Sequence, residues 1–156
     1  MNFNDLIKDI LEHPEFQQLA NFTHHHPFSI LEHSLNVAHL TYSWSGRLNS
    51  IIKLDVRSAT RGALLHDFYL YDWHLPRPDG SRWHGLRHPR IACQNAERCF
   101  ELNSKEKGII ISHMWPLTIF WPSSYEAFLV SFADKAVTMQ EFFVRIRYLF
   151  RVKFLN

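Results

Sequence analysis

Cysteine is scarce in this chain of 156 residues: only Cys93 and Cys99 occur. Six residues apart on one predicted helix, they face different directions, which excludes a disulfide framework and suits a reducing cytoplasm. Long apolar runs are missing too, and no stretch joins a basic start, an apolar core and a small-residue cleavage site. The expectation is therefore a soluble, unprocessed, cytoplasmic protein with no membrane partner. Excess charge of one sign is also lacking: the net charge of +2 is too near balance for a stable nucleic-acid complex to be expected. No segment alternates with a period of two, and no internal repeat or low-complexity stretch is visible, so extended sheets and repeat architectures are disfavoured. What is present, 46% hydrophobic residues with 15% aromatics, argues for one folded domain spanning residues 1–156.

Helical spacing dominates, and the chain reads as an all-α bundle of six to seven helices. The first is predicted at about Asn4 to Glu12, ending near Pro14. The second, around Ile30 to Asn49, is expected to bury Leu31, Leu35, Ala38 and Tyr42. Asp55 reads as the N-cap of a helix from Val56 to His66, with Val56, Ala59, Ala63 and Leu64 on one face. From Phe68 to Arg87 the periodicity fails. Pro76, Pro78, Asp79-Gly80 and Gly85 supply turn chemistry there, and Tyr69, Tyr71, Trp73 and Trp83 supply bulk, which together predict an ordered aromatic lid. Its aromatic rings are expected to pack loop against core rather than stack on a nucleobase. Pro89 suits the first turn of a helix running to about Leu102. Asn103 with Glu106 resembles a capping box for a helix through Ile111 that stops before Pro116. Ser123 with Glu126 forms a second such pattern, opening a final helix through Asp134 toward Arg147. At its end Phe143, Ile146, Leu149 and Phe150 recur at core spacing, leaving Arg145, Arg147 and Arg151 to solvent or to the partner subunit of a homodimer.

Eleven histidines are the compositional outlier. With 7 aspartates in the same chain, chance supplies roughly 0.5 His-Asp pairs, so the pair His66-Asp67 proves little alone. Its context carries more. His33, His66-Asp67, His88, His113 and Asp134 each fall where a helical pattern begins, ends or turns inward, and Asp134 interrupts the apolar stretch AFLVSFADKAV. A carboxylate buried there is costly unless a cation or hydrogen bonds compensate it. Imidazole nitrogens and carboxylate oxygens suit borderline first-row metals, and Asp67 can bridge two ions with its two oxygens. Two ions of Fe, Mn, Zn or Ni fit this donor set better than Mg²⁺, which prefers all-oxygen shells.

On these six residues the chain resembles the HD-domain superfamily of metal-dependent phosphohydrolases, whose pattern is a His, a later His-Asp pair and a distant Asp. His88 and His113 resemble its two-metal branch, and the likeness covers roughly Thr23 to Gln140. The resemblance implies a helical bundle with His33, His66, Asp67 and Asp134 around one metal, and His88 and His113 with bridging Asp67 around a second. It implies hydrolysis of a small phosphomonoester or phosphodiester, nucleotides among the candidates, with Asp67 setting the metal spacing. Arg61 and Lys135 are the candidate partners of phosphate oxygens. The run His24-His25-His26 reads as a solvated turn before Pro27, with the alternative that one of the three points into the metal cleft as a proton donor, and His25 is also a candidate for substrate contact. Asp72, His84 and Arg90 are further candidates for substrate contact. The same ligand order also resembles the HD-fold mixed-valent di-iron oxygenases that cleave myo-inositol or phosphonates. A metal-stabilised binding module is a third reading.

Overall fold

Short-range chemistry sets most helix boundaries of the computed structural model, which describes residues 2–75 and 83–154. In α1 (Phe3–Leu11) the Asn2 side chain caps the Asn4 N–H, and Phe3, Leu6, Ile7 and Ile10 form one buried stripe. Pro14 then opens the short α2 (Pro14–Gln17), whose first turn has no use for the missing N–H. A turn of 3₁₀ helix leads into a small antiparallel hairpin, β1 (Thr23–His25) and β2 (Phe28–Ser29). That hairpin is the one pair of strands among the described residues, so the expected all-α class stands, with seven α-helices.

The long α3 (Ile30–Leu48) starts at a capping box in which Ser29 Oγ accepts from the Glu32 N–H and Glu32 accepts from the Ser29 N–H. Its boundaries match expectation, but its buried face does not. His33, Ser34, Val37, Ala38, Thr41 and Ser45 point inward, whereas Leu31, Leu35 and Tyr42 are half-buried. Small and polar side chains take the inner face because the neighbouring α4 (Val56–Leu65) must approach closely. Capped by Asp55 at Ser58 as expected, α4 is buried at every residue from Ser58 to Leu65, and packs against α3, α6 and α7. Gly62 makes this possible, since a Cβ there would lie 2.8 Å from a methyl of Ile109 on α6.

Two boundaries differ from expectation. Helix α5 (His84–Cys99) begins well before Pro89, behind Trp83 in the left-handed region at φ 73°, and stops before the expected Leu102. Pro89 thus sits inside the helix, where its ring stays buried. Both cysteines are free thiols, as expected. Helix α6 (Ser104–Ser112) opens on the expected Asn103–Glu106 capping box. The expected Ser123–Glu126 box does not form: in α7 (Tyr125–Phe154) the cap is Ser124, whose Oγ accepts from the Ala127 N–H. Glu126 is drawn instead to the Asp55 N–H at 2.8 Å and to Lys105 Nζ at 2.9 Å, a buried carboxylate satisfied across elements rather than within its own turn.

One contiguous apolar cluster joins α1 and α3 to α7, built around Ile7, Phe16, Ile30, Leu64, Phe68 and Ile109. The far part of α7 leaves it. Phe143 and Phe150 are 57% and 59% exposed and Ile146 is half-buried, so the core role expected for this stretch is corrected: it lies beside the hairpin, with the His26 and Tyr148 ring centroids 6.1 Å apart, rather than inside the apolar cluster. The side chains of Leu149 and Arg151 lie outside the described ones. The turn assigned to Pro76, Pro78, Asp79 and Gly80 also falls outside the described residues. Within the described part of the aromatic segment, Phe68 and Tyr69 are buried and Trp73 donates its indole N–H to the His24 carbonyl at 3.2 Å. Those rings tie the segment to the core, as expected. No helix among the described residues is long and apolar enough to cross a membrane.

Candidate metal centre

Three helix ends converge on one point. His66 and His113 are the C-caps of α4 and α6, positions where the last backbone carbonyls have no intrahelical donor. Each imidazole uses one: His66 Nδ1–H donates to the Ala63 carbonyl at 2.6 Å, and His113 Nδ1–H to the Ile110 carbonyl at 2.7 Å. His88, in the second turn of α5, does the same to the His84 carbonyl at 3.1 Å. Holding the proton on Nδ1 leaves every Nε2 lone pair directed inward, the tautomer a metal ligand requires.

Asp67 stands among these lone pairs, 4% exposed. Its Oδ1 lies 3.1 Å from His88 Nε2 and 3.5 Å from His113 Nε2. Its Oδ2 lies 3.5 Å from His66 Nε2 and 4.0 Å from His33 Nε2. Asp134, brought in by α7, places Oδ1 3.3 Å from His33 Nε2 and 3.7 Å from His66 Nε2. The six sequence-predicted ligands therefore come together, with the two oxygens of Asp67 facing different subsets.

The donor set fits divalent cations on the chemistry of these atoms. His88 Nε2 and His113 Nε2 approach to 2.8 Å although both rings already spend their Nδ1–H on carbonyls, so two lone pairs face each other. A shared positive charge relieves that repulsion. His66 Nε2 and Asp67 Oδ1 are buried with no hydrogen-bond partner among the described residues, an expensive arrangement unless a cation sits between them. Burial pulls the His113 imidazole down to about 3, with the neighbouring His66 and His88 acting the same way, and burial also lowers His66. Both are thus held in the neutral, ligating form. Burial would raise the Asp67 carboxyl, but its interactions with the surrounding His66, His88 and His113 imidazoles outweigh it and hold it well below the usual range. His33 differs: burial pulls it down, yet hydrogen bonds to Asp134 and Glu141 prevail and raise it to about 10. A proton and a cation compete for its Nε2.

Glu141 and His24 are the residues that sequence reasoning missed. Glu141, 3% exposed, lies seven residues beyond Asp134 on the same face of α7 and accepts from His33 Nδ1 at 3.1 Å. That spacing was the available signal: an acid two turns after Asp134, beside Thr138 whose hydroxyl bonds Asp134 at 3.4 Å. A carboxylate behind a ligating imidazole fixes its tautomer and raises its basicity. Glu141→Gln, which keeps an acceptor but removes the charge, is expected to weaken metal binding at the His33 side about tenfold, and Glu141→Ala more. A metal titration followed by calorimetry checks this, and unchanged affinity in both variants would remove Glu141 from the centre.

The histidine run is not a solvated turn. The hairpin tucks His24 against His33, ring centroids 3.8 Å apart, with His24 Nε2 3.6 Å from Asp67 Oδ2. His25 follows it to the wall of a cavity of about 1130 Å³ that opens over Asp67 and Asp134, and His84 lines the same cavity. Four other candidates need correction. Arg61, 4% exposed, points away from the cavity: its Nε donates to Glu106 at 3.0 Å, and Nη1 to Asp9 at 2.6 Å and the Leu6 carbonyl at 3.2 Å. Lys135 does line the cavity, but its ammonium donates to the His113 carbonyl, the Ser131 carbonyl and Ser131 Oγ, which consumes its three protons. Asp72 turns to its neighbour His74, accepting at 2.9 Å, and Arg90 lies over the Phe120 ring at 5.0 Å; neither lines the cavity.

Four imidazoles and one further carboxylate, Asp134, are thus buried around Asp67 where the helices meet, a donor set that suits divalent cations. The HD-domain family model matches residues 30–139, and the chain belongs to the HD-domain family. Members of this family bind divalent metals and are in general metal-dependent hydrolases, with which the His/Asp cluster agrees. No curated protein and no solved structure matches the chain significantly.

Proposed function

We propose that this protein is a phosphohydrolase that holds two divalent cations on opposite sides of Asp67 and cleaves a small phosphate ester. The observation that carries the reading is the division of Asp67: Oδ2 faces His33 and His66, with Asp134 beside them, and Oδ1 faces His88 and His113. His33, His66, Asp134 and Asp67 Oδ2 would hold one cation, and His88, His113 and Asp67 Oδ1 the other. Neither set fills a coordination sphere, which leaves room for water and substrate. When bound, such a pair lowers the pKa of water and neutralises phosphoryl oxygens. Four imidazoles favour Mn, Fe, Zn or Ni.

The chain's own groups supply the rest. His24 Nε2, 3.6 Å from Asp67 Oδ2 and on the cavity wall, is placed to hold or pass a proton beside the reacting centre. Burial and the charges of His24 and His33 lower His25 to about 4, so near neutral pH it offers an uncharged hydrogen-bonding ring. Lys135 fixes the backbone of His113 rather than touching phosphate. Tyr69 and Trp73 wall the centre from bulk water.

The same donors suit a mixed-valent iron pair that activates O₂, so the test turns on what each chemistry consumes. Protein loaded with Mn²⁺ under anaerobic conditions is expected to release phosphate from an aryl phosphate at an undiminished rate, because hydrolysis needs water alone. Turnover that requires iron, and disappears when O₂ is removed, would overturn the hydrolytic reading in favour of the oxygenase.

A further inference from the structure

The walls of the cavity point to a more specific substrate: we infer that the site takes phosphomonoesters of apolar alcohols in preference to nucleoside or sugar phosphates. This rests on the phosphohydrolase reading of the same centre. The cavity of about 1130 Å³ is larger than a phosphate group and a few waters require, so its outer part is available to the organic half of the substrate.

That outer part is apolar. One wall is a single face of α7, along which Asp134, Thr138, Met139, Phe142 and Arg145 follow one another away from the metal centre. Met139 and Phe142 line the cavity yet are 59% and 54% exposed, so they hold apolar surface open to an incoming chain. Met114 and Leu117 face the same space from the segment after His113, with Leu117 61% exposed, and Trp73 adds a flat ring. Methionine is unbranched and adapts to the shape of an alkyl or aryl body.

Apart from the His25 ring, most polar groups that a sugar or a polyphosphate would need are committed elsewhere. Among the described residues the carboxylates in the cavity are Asp67 and Asp134, both turned to the imidazoles and not to a ribose diol. The Thr138 hydroxyl bonds Asp134, and the Lys135 ammonium bonds the His113 carbonyl, the Ser131 carbonyl and Ser131 Oγ. Arg145 is the remaining cation of the lining, and no carboxylate pairs with it among the described residues. Eleven residues beyond Asp134, it lies roughly 16 Å along the helix axis, too far to neutralise a second phosphate attached to the first. One phosphoryl group at the centre and an uncharged chain along Met139 and Phe142 match this distribution.

A homologous series reads the inference directly. Binding of n-alkylphosphonates from ethyl to octyl, which carry the head group but no ester bond to hydrolyse, is measured by calorimetry on the full chain loaded with Mn²⁺. Each methylene placed on the apolar wall should tighten binding by up to about threefold to fourfold, and because that wall stays partly open to water an average of about twofold over the six added methylenes is expected, a gain on the order of a hundredfold across the series. Met139→Ser with Phe142→Ser is expected to remove most of that gain, with a loss that grows with chain length and is least for the ethyl compound, and because both side chains are already exposed the fold should tolerate the change. In parallel, kcat/KM is compared for octyl phosphate, a nucleoside 5′-monophosphate and a hexose phosphate. A flat chain-length series, or preference for the nucleoside or sugar ester, overturns the inference while leaving the hydrolase intact. Steep chain-length dependence with no phosphate release from any ester leaves the apolar selectivity standing and overturns the hydrolytic reading.

Discussion

Asp67→Ala is expected to weaken both halves of the metal centre and to lower phosphate release by at least about a thousandfold. The reason lies in the position of one side chain. Asp67 is the acid that both groups of imidazoles share, with His88 and His113 within 3.5 Å of Oδ1 and His66 at 3.5 Å from Oδ2. Without it the His88 and His113 pair retains two neutral nitrogens and no anion, a weak site for a divalent cation. The other side keeps His33, His66 and Asp134 and binds less tightly. His88→Ala or His113→Ala should instead cost mainly one ion. Elemental analysis after desalting distinguishes these cases. Two tightly held ions in Asp67→Ala would disprove the bridge, and a single ion in both the native protein and His88→Ala would show that the centre is mononuclear.

Arg61→Ala should destabilise the fold by about 3–5 kcal/mol, lowering the midpoint of thermal unfolding by roughly 10 °C, rather than merely slowing turnover. The guanidinium is buried within α4, and its loss strands Glu106, 2% exposed, without the 3.0 Å charge partner that compensates it. Asp9, by contrast, is 58% exposed and can return to water, so most of the penalty comes from Glu106. Double replacement of Arg61 and Glu106 by apolar residues of similar volume should recover much of the loss, since an empty pair costs less than a broken one. Thermal scans of the metal-free proteins measure this. A stable Arg61→Ala variant with a raised KM would return Arg61 to the phosphate role.

The metal ligands were legible in the sequence because their positions follow from local rules. A His at a helix C-terminus has free carbonyls for its Nδ1–H, as at His66 and His113, and Asp134 in an apolar run announces a buried acid that needs compensation. Caps at Asp55 and Asn103 were equally readable, since donor and acceptor lie within three residues. The roles of Arg61 and Lys135 were not. Sequence distance from His66 or Asp134 places each near the centre, but direction around the helix and the nearest anion decide what the cation does. Arg61 meets Glu106 from α6 and Asp9 from α1, while Lys135 meets the carbonyl of His113.

By itself, then, the sequence determined the class of fold, most helix boundaries and which six His and Asp side chains to look for at one centre, because each depends on residue type and on neighbours a few positions away. Tertiary structure alone decided that His24 stacks on His33 from a hairpin, that Glu141 stands behind the same imidazole, and that the apolar face of α7 becomes a cavity wall. Those outcomes join residues up to 108 positions apart, His33 to Glu141. Periodicity says which side of a helix is apolar, but the meeting of two faces is fixed by packing many side chains at once, and small inner residues such as Gly62 and Ser34 set how closely the helices approach.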